Sequence, residues 1–229
     1  MFKKLLGIAL VCAGIGAAQA GDPGFYVGGG IGQSHYDDSL TGQIRSAYAN
    51  NSAYSFVSGS LNDDTDQAWK LFGGYRFLPW LGVEFAWNDL GKVGSNYVLH
   101  SQVPATNANA NIFGHYDIGG PSATVFGELD FNDRSSAMLR VGLYNAQIDY
   151  TETGTGADGL AHRFSNDSDS TELTYGLGLN VRVTPNWDVR LDWDRYTDVG
   201  RRFGLGNDTN GRFDHIDLVS MSVAYRFGQ

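Results

Sequence analysis

Residues 67–88 read QAWKLFGGYRFLPWLGVEFAWN, and their side chains alternate in the pattern of a β-hairpin. On both sides of Pro79 most large apolar residues occupy odd-numbered positions, whereas the charged residues occupy even-numbered ones. Proline lacks the amide hydrogen that a central strand requires, so Pro79 marks a tight turn. A repeat of two residues is the period of a strand with one buried face. This stretch therefore predicts two antiparallel strands that share one apolar face.

The same alternation occurs in two more pairs of segments and in one segment near each end of the chain. The second pair flanks Asn132–Ser136, and the third flanks Thr184–Asn186. Single strands are predicted at Phe25–Ile31 and at Val219–Phe227, which brings the number of strands to eight. We find no convincing pattern of an amphipathic helix. The sequence therefore predicts an all-β fold.

Three features favour a membrane barrel over a soluble β-sandwich. One face is apolar while the other carries charges of both signs, and each strand has about ten residues, enough to cross a bilayer at a tilt. The connections are unequal: three are tight turns, and four long ones are predicted at Ser34–Thr65, Asp89–Gly120, Glu152–Asp169 and Thr197–Asp214. We therefore predict an eight-stranded antiparallel up-and-down transmembrane β-barrel with short periplasmic turns and four long extracellular loops. Pairing of the first strand with the last leaves no edge in lipid.

The composition and the N-terminal residues are typical of an exported protein of the cell envelope. The chain has 229 residues, 31 of them glycine, and its net charge of -9 gives it no basic surface for nucleic acid. Residues 1–20 have the pattern of a cleaved signal peptide, with Lys3 and Lys4 before an apolar stretch that ends in an A-x-A site. Residues 21–229 are then the barrel domain. It contains no cysteine, because Cys12 leaves with the signal peptide.

Aromatic residues gather near the ends of the predicted strands, where the membrane interfaces would lie. Rings at both interfaces form the aromatic girdle of a transmembrane barrel. The predicted girdle consists of Trp69, Trp80, Trp87, Phe131, Trp187, Trp193, Tyr225 and Phe227. The alternative is the core of a soluble protein, but core packing does not require rings to gather at strand ends.

Four motifs mark the predicted strands: GFYVGGGIG at 24–32, KLFGGYRF at 70–77, GVEF at 82–85 and VAYRF at 223–227. Together they resemble the OmpA-like transmembrane domain, a family of small eight-stranded barrels. The resemblance implies a multi-pass barrel in the outer membrane of a Gram-negative bacterium, in contact with lipid and lipopolysaccharide. It also implies recognition of the C-terminal strand by the barrel-assembly machinery, although Gly228 and Gln229 follow Phe227, where the family pattern ends on the aromatic residue. It does not include the family's peptidoglycan-binding domain, so we expect no cell-wall tether.

Ten charged residues share the inward parity of the predicted strands: Lys70, Arg76, Glu84, Glu128, Arg140, Arg182, Asp188, Arg190, Asp192 and Arg226. Side chains roughly fill the lumen of an eight-stranded barrel, and buried charges are costly unless they are paired. We therefore expect a plug of ion pairs. If the tight turns set the register, Glu128 faces Arg140 and Arg182 faces Asp188. The alternative is a pathway for ions or small solutes through a rearranging network.

The sequence favours a structural or surface-interaction protein whose barrel is the anchor and whose loops act outside the cell, without a cofactor or a metal site. It does not identify the extracellular partner. One alternative is a narrow channel. Another is a rim enzyme that modifies lipid A, with His215 beside Asp214 and Asp217, or His162 with Ser165, as acid–base candidates. The acidic runs at 62–66 and 167–169 lack the EF-hand pattern and are predicted to be solvated loops.

Overall fold

The computed structural model describes residues 23–103, 108–200, 204–205, 209–210 and 213–228. The predicted signal peptide, residues 1–20, lies outside the described residues. The elements are β1 Gly24–Tyr36, α1 Ser39–Tyr48, β2 Tyr54–Asn62, β3 Thr65–Leu78, β4 Leu81–Ser101, β5 Asn109–Asn132, β6 Ser135–Thr155, β7 Ala161–Arg182, β8 Trp187–Val199, β9 Gly204–Leu205, β10 Thr209–Asn210 and β11 Phe213–Arg226. Within these ranges no helix is long and apolar enough to cross a membrane.

Eight strands close into a ring in which every neighbouring pair is antiparallel. The order around the ring is β1, β3, β4, β5, β6, β7, β8 and β11, and β11 pairs back onto β1. Short turns at 79–80, 133–134 and 183–186 lie at one end of the ring, which we call the turn end; the opposite end is the far end. The predicted eight-stranded up-and-down barrel is thus confirmed.

The predicted loop Ser34–Thr65 contains regular structure that the sequence did not reveal. Strand β2 continues the line of β3 and pairs only with residues 94–101 of β4. Helix α1 contacts both β2 and β11, and it buries Leu40 and Ile44 in the far end of the barrel. The prediction of no helix is wrong, because two buried side chains in a ten-residue helix are too few to produce a recognisable period.

Two of the other predicted loops are wrong because the strands continue through them. The ends of β4 and β5 occupy most of Asp89–Gly120, and those of β6 and β7 occupy most of Glu152–Asp169, so the connections shrink to residues 102–108 and 156–160. In the extensions of β4 and β5, the apolar side chains of Tyr97, Tyr116 and Ile118 point inward and are buried. The apolar face changes sides because the outer surface there meets water, so the pattern expected for a lipid-facing strand is lost.

A β-bulge at the start of the extension of β4 changes which side chains of this strand face inward. The register with β5 shifts between Asp89 and Gly91, so that even-numbered residues face inward before the bulge and odd-numbered ones, such as Val93, face inward after it. Gly91 has a φ angle of +81°, and a Cβ atom there would lie 2.6 Å from Asp66 Oδ2 and from the Gln67 carbonyl oxygen. Both the conformation and the close approach therefore require glycine at this position.

The outer face of the ring carries a band of exposed apolar side chains, which we call the belt. Each ring strand contributes, for example through Ile31, Leu71, Phe85, Leu129, Leu139, Leu177, Leu191 and Met221. Monomeric soluble proteins rarely expose an apolar surface of this extent. On β7 the belt runs from Leu173 to Val183, about the eleven residues that a tilted strand needs to cross hydrocarbon. The predicted assignment of apolar residues to the outer face is confirmed for this part of the barrel.

Candidate functional site

The inner face of the barrel, at the level of the belt, holds an electrically balanced set of ten charged side chains. Each of them is at most 8 % exposed, and each makes an ion pair with another member of the set. The five cations are Lys70, Arg76, Arg140, Arg190 and Arg226, and the five carboxylates are Glu84, Glu128, Asp188, Asp192 and Asp194. Pairing of this kind offsets the high cost of removing charges from water.

Two ion pairs lie near the turn end. Arg76 pairs with Glu128, whose other carboxylate oxygen accepts hydrogen bonds from Ser136 and from Asn180 Nδ2, the latter at 3.2 Å. Arg226 pairs with Asp188. Strand β11 and the start of β8 bring the second pair together, because Ala224 stands opposite Asp188 in the register. These contacts close the mouth of the barrel where the tight turns lie.

A third pair lies deeper, among aromatic rings. Arg190 Nη1 donates to Glu84 Oε2 at 2.7 Å, and the Tyr26 hydroxyl donates to the same oxygen at 2.9 Å. The Arg190 guanidinium also lies 4.9 Å from the ring centres of Tyr26 and Phe72. Cation–π contact adds to the ion pair, so Arg190 is held on two sides.

The last group joins two cations to two carboxylates towards the far end. Lys70 Nζ lies 2.7 Å from Asp192 Oδ2 and 3.2 Å from Asp194 Oδ2. Arg140 contacts the same two carboxylates, with Nη1 at 2.9 Å from Asp192 Oδ1 and Nη2 at 2.7 Å from Asp194 Oδ1. Each charge therefore has two opposite neighbours, and loss of any one leaves a buried imbalance.

The structure brings together nine of the ten predicted lumen residues, but it corrects their pairing. Glu128 stands opposite Met138, not Arg140. The prediction of a Glu128–Arg140 pair is wrong for two reasons. The two-residue turn at 133–134 alone would place Glu128 opposite Leu139, and the register shift between Asp130 and Asn132 then moves it to Met138. The predicted register of Arg182 opposite Asp188 is confirmed, yet Asp188 pairs with Arg226, and half-buried Arg182 reaches only the Asp133 carbonyl oxygen, at 3.4 Å.

Sequence reasoning missed two members of this site. Asp194 has the inward parity of Asp188, Arg190 and Asp192, and it follows Asp192, the last residue of this segment that was predicted to face the lumen, by two positions. Extending the alternation by these two positions identifies it. Tyr26 was missed because an aromatic side chain among glycines gives no sign that its hydroxyl binds a buried carboxylate.

Beyond the charged set, towards the far end, the interior consists mainly of aromatic and aliphatic side chains, among which Glu172, Ser34 and Ser95 are also buried. The rings of Tyr144 and Tyr196 pack with their centres 4.5 Å apart, and Tyr36 contacts Phe213 with ring centres 5.5 Å apart. Leu40 and Ile44 of α1 belong to the same buried cluster. Two layers of different chemistry therefore fill the barrel, one of paired charges and one of packed rings and aliphatic groups.

Two of these tyrosines share a carboxylate near the far end. The hydroxyls of Tyr97 and Tyr150 donate to Glu152 Oε2 at 2.8 Å and 2.5 Å. Burial, reinforced by the negative charge of Glu152, raises the pKa of the Tyr97 and Tyr150 hydroxyls far above the ordinary value. Both hydroxyls therefore stay protonated and donate hydrogen bonds to Glu152.

The predicted girdle residues lie on the outer face, and all but Trp193 lie near one of the two edges of the belt. Trp193 and Tyr225 are half-buried against neighbouring side chains, and the other six are exposed. Trp69 and Trp87 lie at the edge nearer the far end, Trp193 stands opposite Leu177 of β7, and Trp80, Phe131, Trp187, Tyr225 and Phe227 lie at the turn end. Two rows of rings are what a girdle at two interfaces requires.

The acid–base candidates do not form a catalytic arrangement. His215 Nε2 lies 4.0 Å from Asp217 Oδ2, but Arg195 already holds that carboxylate through two hydrogen bonds of 2.7 Å. His162 contacts Asp158 at 3.3 Å. Ser165 follows His162 by three residues on β7, so the alternation of the strand directs the two side chains to opposite faces.

The acidic runs hold no arrangement suited to a metal ion. In the described part of the chain, no group of three or more His, Cys, Asp or Glu side chains is placed to bind one. Residues 167–169 lie within β7 and not in a loop, so that part of the prediction is wrong. Asp63 and Asp64 do connect two strands and are exposed.

Comparison with known proteins gives one family match and several distant relatives. The family model described as "Outer membrane protein beta-barrel domain" matches residues 5–227. Outer membrane protein P5 of Haemophilus influenzae is 25% identical over 99% of this chain and 61% of its own length. Outer membrane protein A of Serratia marcescens is 26% identical over 100% of this chain and 57% of its own length. The chain therefore spans about three-fifths of the length of these relatives.

Solved barrels are similar in fold at low sequence identity. The outer membrane protein OprG of Pseudomonas aeruginosa is 13% identical, with a TM-score of 0.49 and coverage of 94% of this chain and 100% of that structure.

Proposed function

This chain belongs to the outer membrane protein β-barrel domain family and is a bacterial outer-membrane protein, and we propose that its barrel is a non-conducting anchor for an interaction surface outside the cell. In this proposal the turn end faces the periplasm and the far end faces outward, as in barrels with short periplasmic turns. The girdle residues anchor the barrel in lipid, and the strand extensions stand above the membrane among lipopolysaccharide. Strand β11 carries the signal for the barrel-assembly machinery.

The double filling of the lumen is the observation that carries this proposal. An ion that crosses the barrel has to break ion pairs among buried groups, where each unpaired charge costs several kcal/mol. It then has to pass the apolar cluster sealed by Leu40 and Ile44 of α1. Near the periplasmic mouth, between Tyr26 and Arg190, the recess measures only about 20 Å³, which is room for roughly one water molecule.

The strand extensions support a role in surface interaction. They place the directly opposed carboxylates of Asp117, Asp149 and Asp167 in one row across β5, β6 and β7. Like charges opposite one another destabilise a sheet. Lys92 lies 3.6 Å from Asp117 at one end of this row, and cations in the lipopolysaccharide layer would offset the remaining repulsion. We assign no enzymatic activity, because the candidates His162 and Ser165 point to opposite faces of β7 and the carboxylate beside His215 is held by Arg195.

The proposal predicts that a change in the ion-pair network alters stability without opening a pore. Glu128→Ala leaves Arg76 without its carboxylate, yet the apolar cluster and α1 still seal the far end. We expect planar-bilayer recordings of this variant to match the unchanged barrel, with no stable conducting state in either, while its thermal stability falls. Stable single-channel steps in the unchanged barrel, or new ones in Glu128→Ala, would favour the channel alternative.

A second prediction concerns topology. Leu160 is 62 % exposed in the connection between β6 and β7, and the proposal places it outside the cell. We expect a protease that cleaves after leucine to cut intact cells at Leu160, and Leu160→Ser to abolish that cut. Leu177 and Leu191 are also exposed in the isolated chain, but lipid should protect them. Cleavage in the belt of intact cells, or recovery of the protein in the soluble periplasmic fraction, would refute the proposal.

A further inference from the structure

A groove on the outer wall of the far end lies where β2 gives way to β3. On β4, Gly94 pairs with Asn62 of β2, and Asp89 pairs with Trp69 of β3. Residues 90–93 of β4 pair with neither β2 nor β3. Asp63 adopts a φ angle of +53° at this break. The groove over the break has a volume of about 520 Å³, and it lies outside the lumen network and the apolar cluster.

Gly94 forms the floor of the groove. It stands opposite Asn62 of β2 on one side and His115 of β5 on the other. In the next outward-facing pair, Asn96 stands directly opposite Phe113. Because glycine has no side chain, these four residues surround a depression in an otherwise continuous sheet surface.

The walls of the groove combine one aromatic surface with free polar groups. Phe113 is 46 % exposed and offers the edge or face of its ring to a ligand. Among the described residues, the side chains of Asn62, Asn96 and His115 have no hydrogen-bond partner. Amide and imidazole groups supply both donors and acceptors. A few convergent polar groups beside an apolar surface are the usual elements of a small-molecule site.

The charges at the rim disfavour an anionic ligand. Asp66 accepts hydrogen bonds from the backbone amides of Lys92 and Gln67, at 2.6 Å and 2.8 Å, and the Lys92 ammonium lies 3.6 Å from Asp117. The cation is therefore already next to a carboxylate, and the carboxylates of Asp63 and Asp66 repel an anion. A phosphate or sulfate group is disfavoured for this reason.

We propose that this groove binds a neutral pyranose unit of an oligosaccharide. The hydroxyls of the sugar pair with Asn62, Asn96 and His115, and its C–H face packs on Phe113. His115 lies six residues beyond Pro121, which stands opposite Trp87 at the belt edge, so the groove is about 15 Å above that edge for a tilted strand. The inference rests on the proposed function, since that function places the groove outside the cell. The sugar then comes from surrounding lipopolysaccharide or from a free oligosaccharide.

Gly94→Phe tests the proposal, because it fills the floor of the groove. A Cβ atom at Gly94 would meet its nearest neighbour, the Asn62 carbonyl oxygen, at 3.5 Å, which is an ordinary contact. The backbone therefore accepts a side chain there. Asn111→Phe is the matched control, since Asn111 is exposed on the same face of β5 two residues beyond Phe113 and does not line the groove.

The measurement is a calorimetric and amide-shift titration of the full chain in lipid nanodiscs. The two probes are the dephosphorylated core oligosaccharide released from lipopolysaccharide and maltotriose. We expect Gly94→Phe to weaken binding at least about tenfold and Asn111→Phe less than about twofold. Binding of the core oligosaccharide alone identifies lipopolysaccharide as the source, and binding of maltotriose identifies a free oligosaccharide.

Equal weakening by the two phenylalanine variants, or no binding of either probe at about 10 mM, would overturn the proposal. Asn96→Ala with Phe113→Leu replaces Gly94→Phe should that variant not fold, and it too must weaken binding. If the barrel binds no sugar but also forms no stable conducting state and is cleaved at Leu160 in intact cells, sugar binding in the groove is refuted and the proposed function stands. Conduction, or cleavage in the belt, refutes the proposed function instead.

Discussion

Arg140→Ala is expected to lower the free energy of unfolding in lipid vesicles by about 3–5 kcal/mol, the usual cost of removing one partner from a buried ion pair. Arg140 contacts both Asp192 and Asp194. Without it, Lys70 is the single cation that still contacts these two carboxylates within the ten-residue set. The measurement is a urea titration followed by tryptophan fluorescence, with heat-modifiable gel migration as the check for folding.

Two variants make this result specific to the buried network. Arg195→Ala removes a guanidinium from a partly exposed pair with Asp217, and pairs of that kind contribute about 0.2–1 kcal/mol. Asp194→Asn added to Arg140→Ala removes the excess negative charge and should restore part of the lost stability. A loss for Arg140→Ala no larger than that for Arg195→Ala, or no recovery in the double variant, would show that the lumen charges are not mutually compensated.

Leu177→Arg is expected to cost about 2–4 kcal/mol, because it places a cation near the middle of the hydrocarbon. Leu177 is 55 % exposed on the outer face and lies between Leu173 and Val183, which bound the belt on β7. Nothing in the described protein covers it, so in water this change would be nearly neutral. The same vesicle unfolding assay measures the cost.

Val183→Arg is the matched control on the same face. Val183 is 61 % exposed and follows the last residue of β7 at the turn end, where the interface reduces the cost of a cation to about 0–1 kcal/mol. A soluble β-sandwich predicts a different pattern, in which arginine in a dry core prevents folding at either position. Equal costs at Leu177 and Val183 would contradict the membrane barrel.

The part of the fold inside the belt could be predicted because one physical contrast repeats there. Lipid outside and packed polar groups inside impose a strict period of two, so Leu71, Leu139 and Leu177 marked their strands from sequence alone. The same reasoning placed Lys70, Arg190 and Asp192 in the lumen. It could not choose partners correctly, because the exact length of the turn at 133–134 and a bulge of one residue near Asp130 together place Glu128 opposite Met138. Such bulges leave little trace in composition.

The far end was harder to predict because its apolar side chains face mainly inward, whereas those of the belt face outward. Tyr97, Tyr116 and Ile118 are buried on the inner face, so a search for outward apolar residues treats their segments as a loop. Helix α1 depends on tertiary packing of Leu40 and Ile44 against distant strands, and a ten-residue segment carries little helical tendency of its own. The groove at Gly94 depends on pairing between β2, β4 and β5, which no local pattern records.

The bulge at Gly91 also restricts how this barrel can change length during evolution. Because the pleat has a period of two, inserting or deleting a single residue in β4 beyond the bulge reverses every later side chain. Val93, Tyr97 and Leu99 would then face water, and Lys92 and Asn96 would enter the apolar interior. The extension can therefore lengthen or shorten only in steps of two residues, unless a compensating bulge is gained or lost in the same strand.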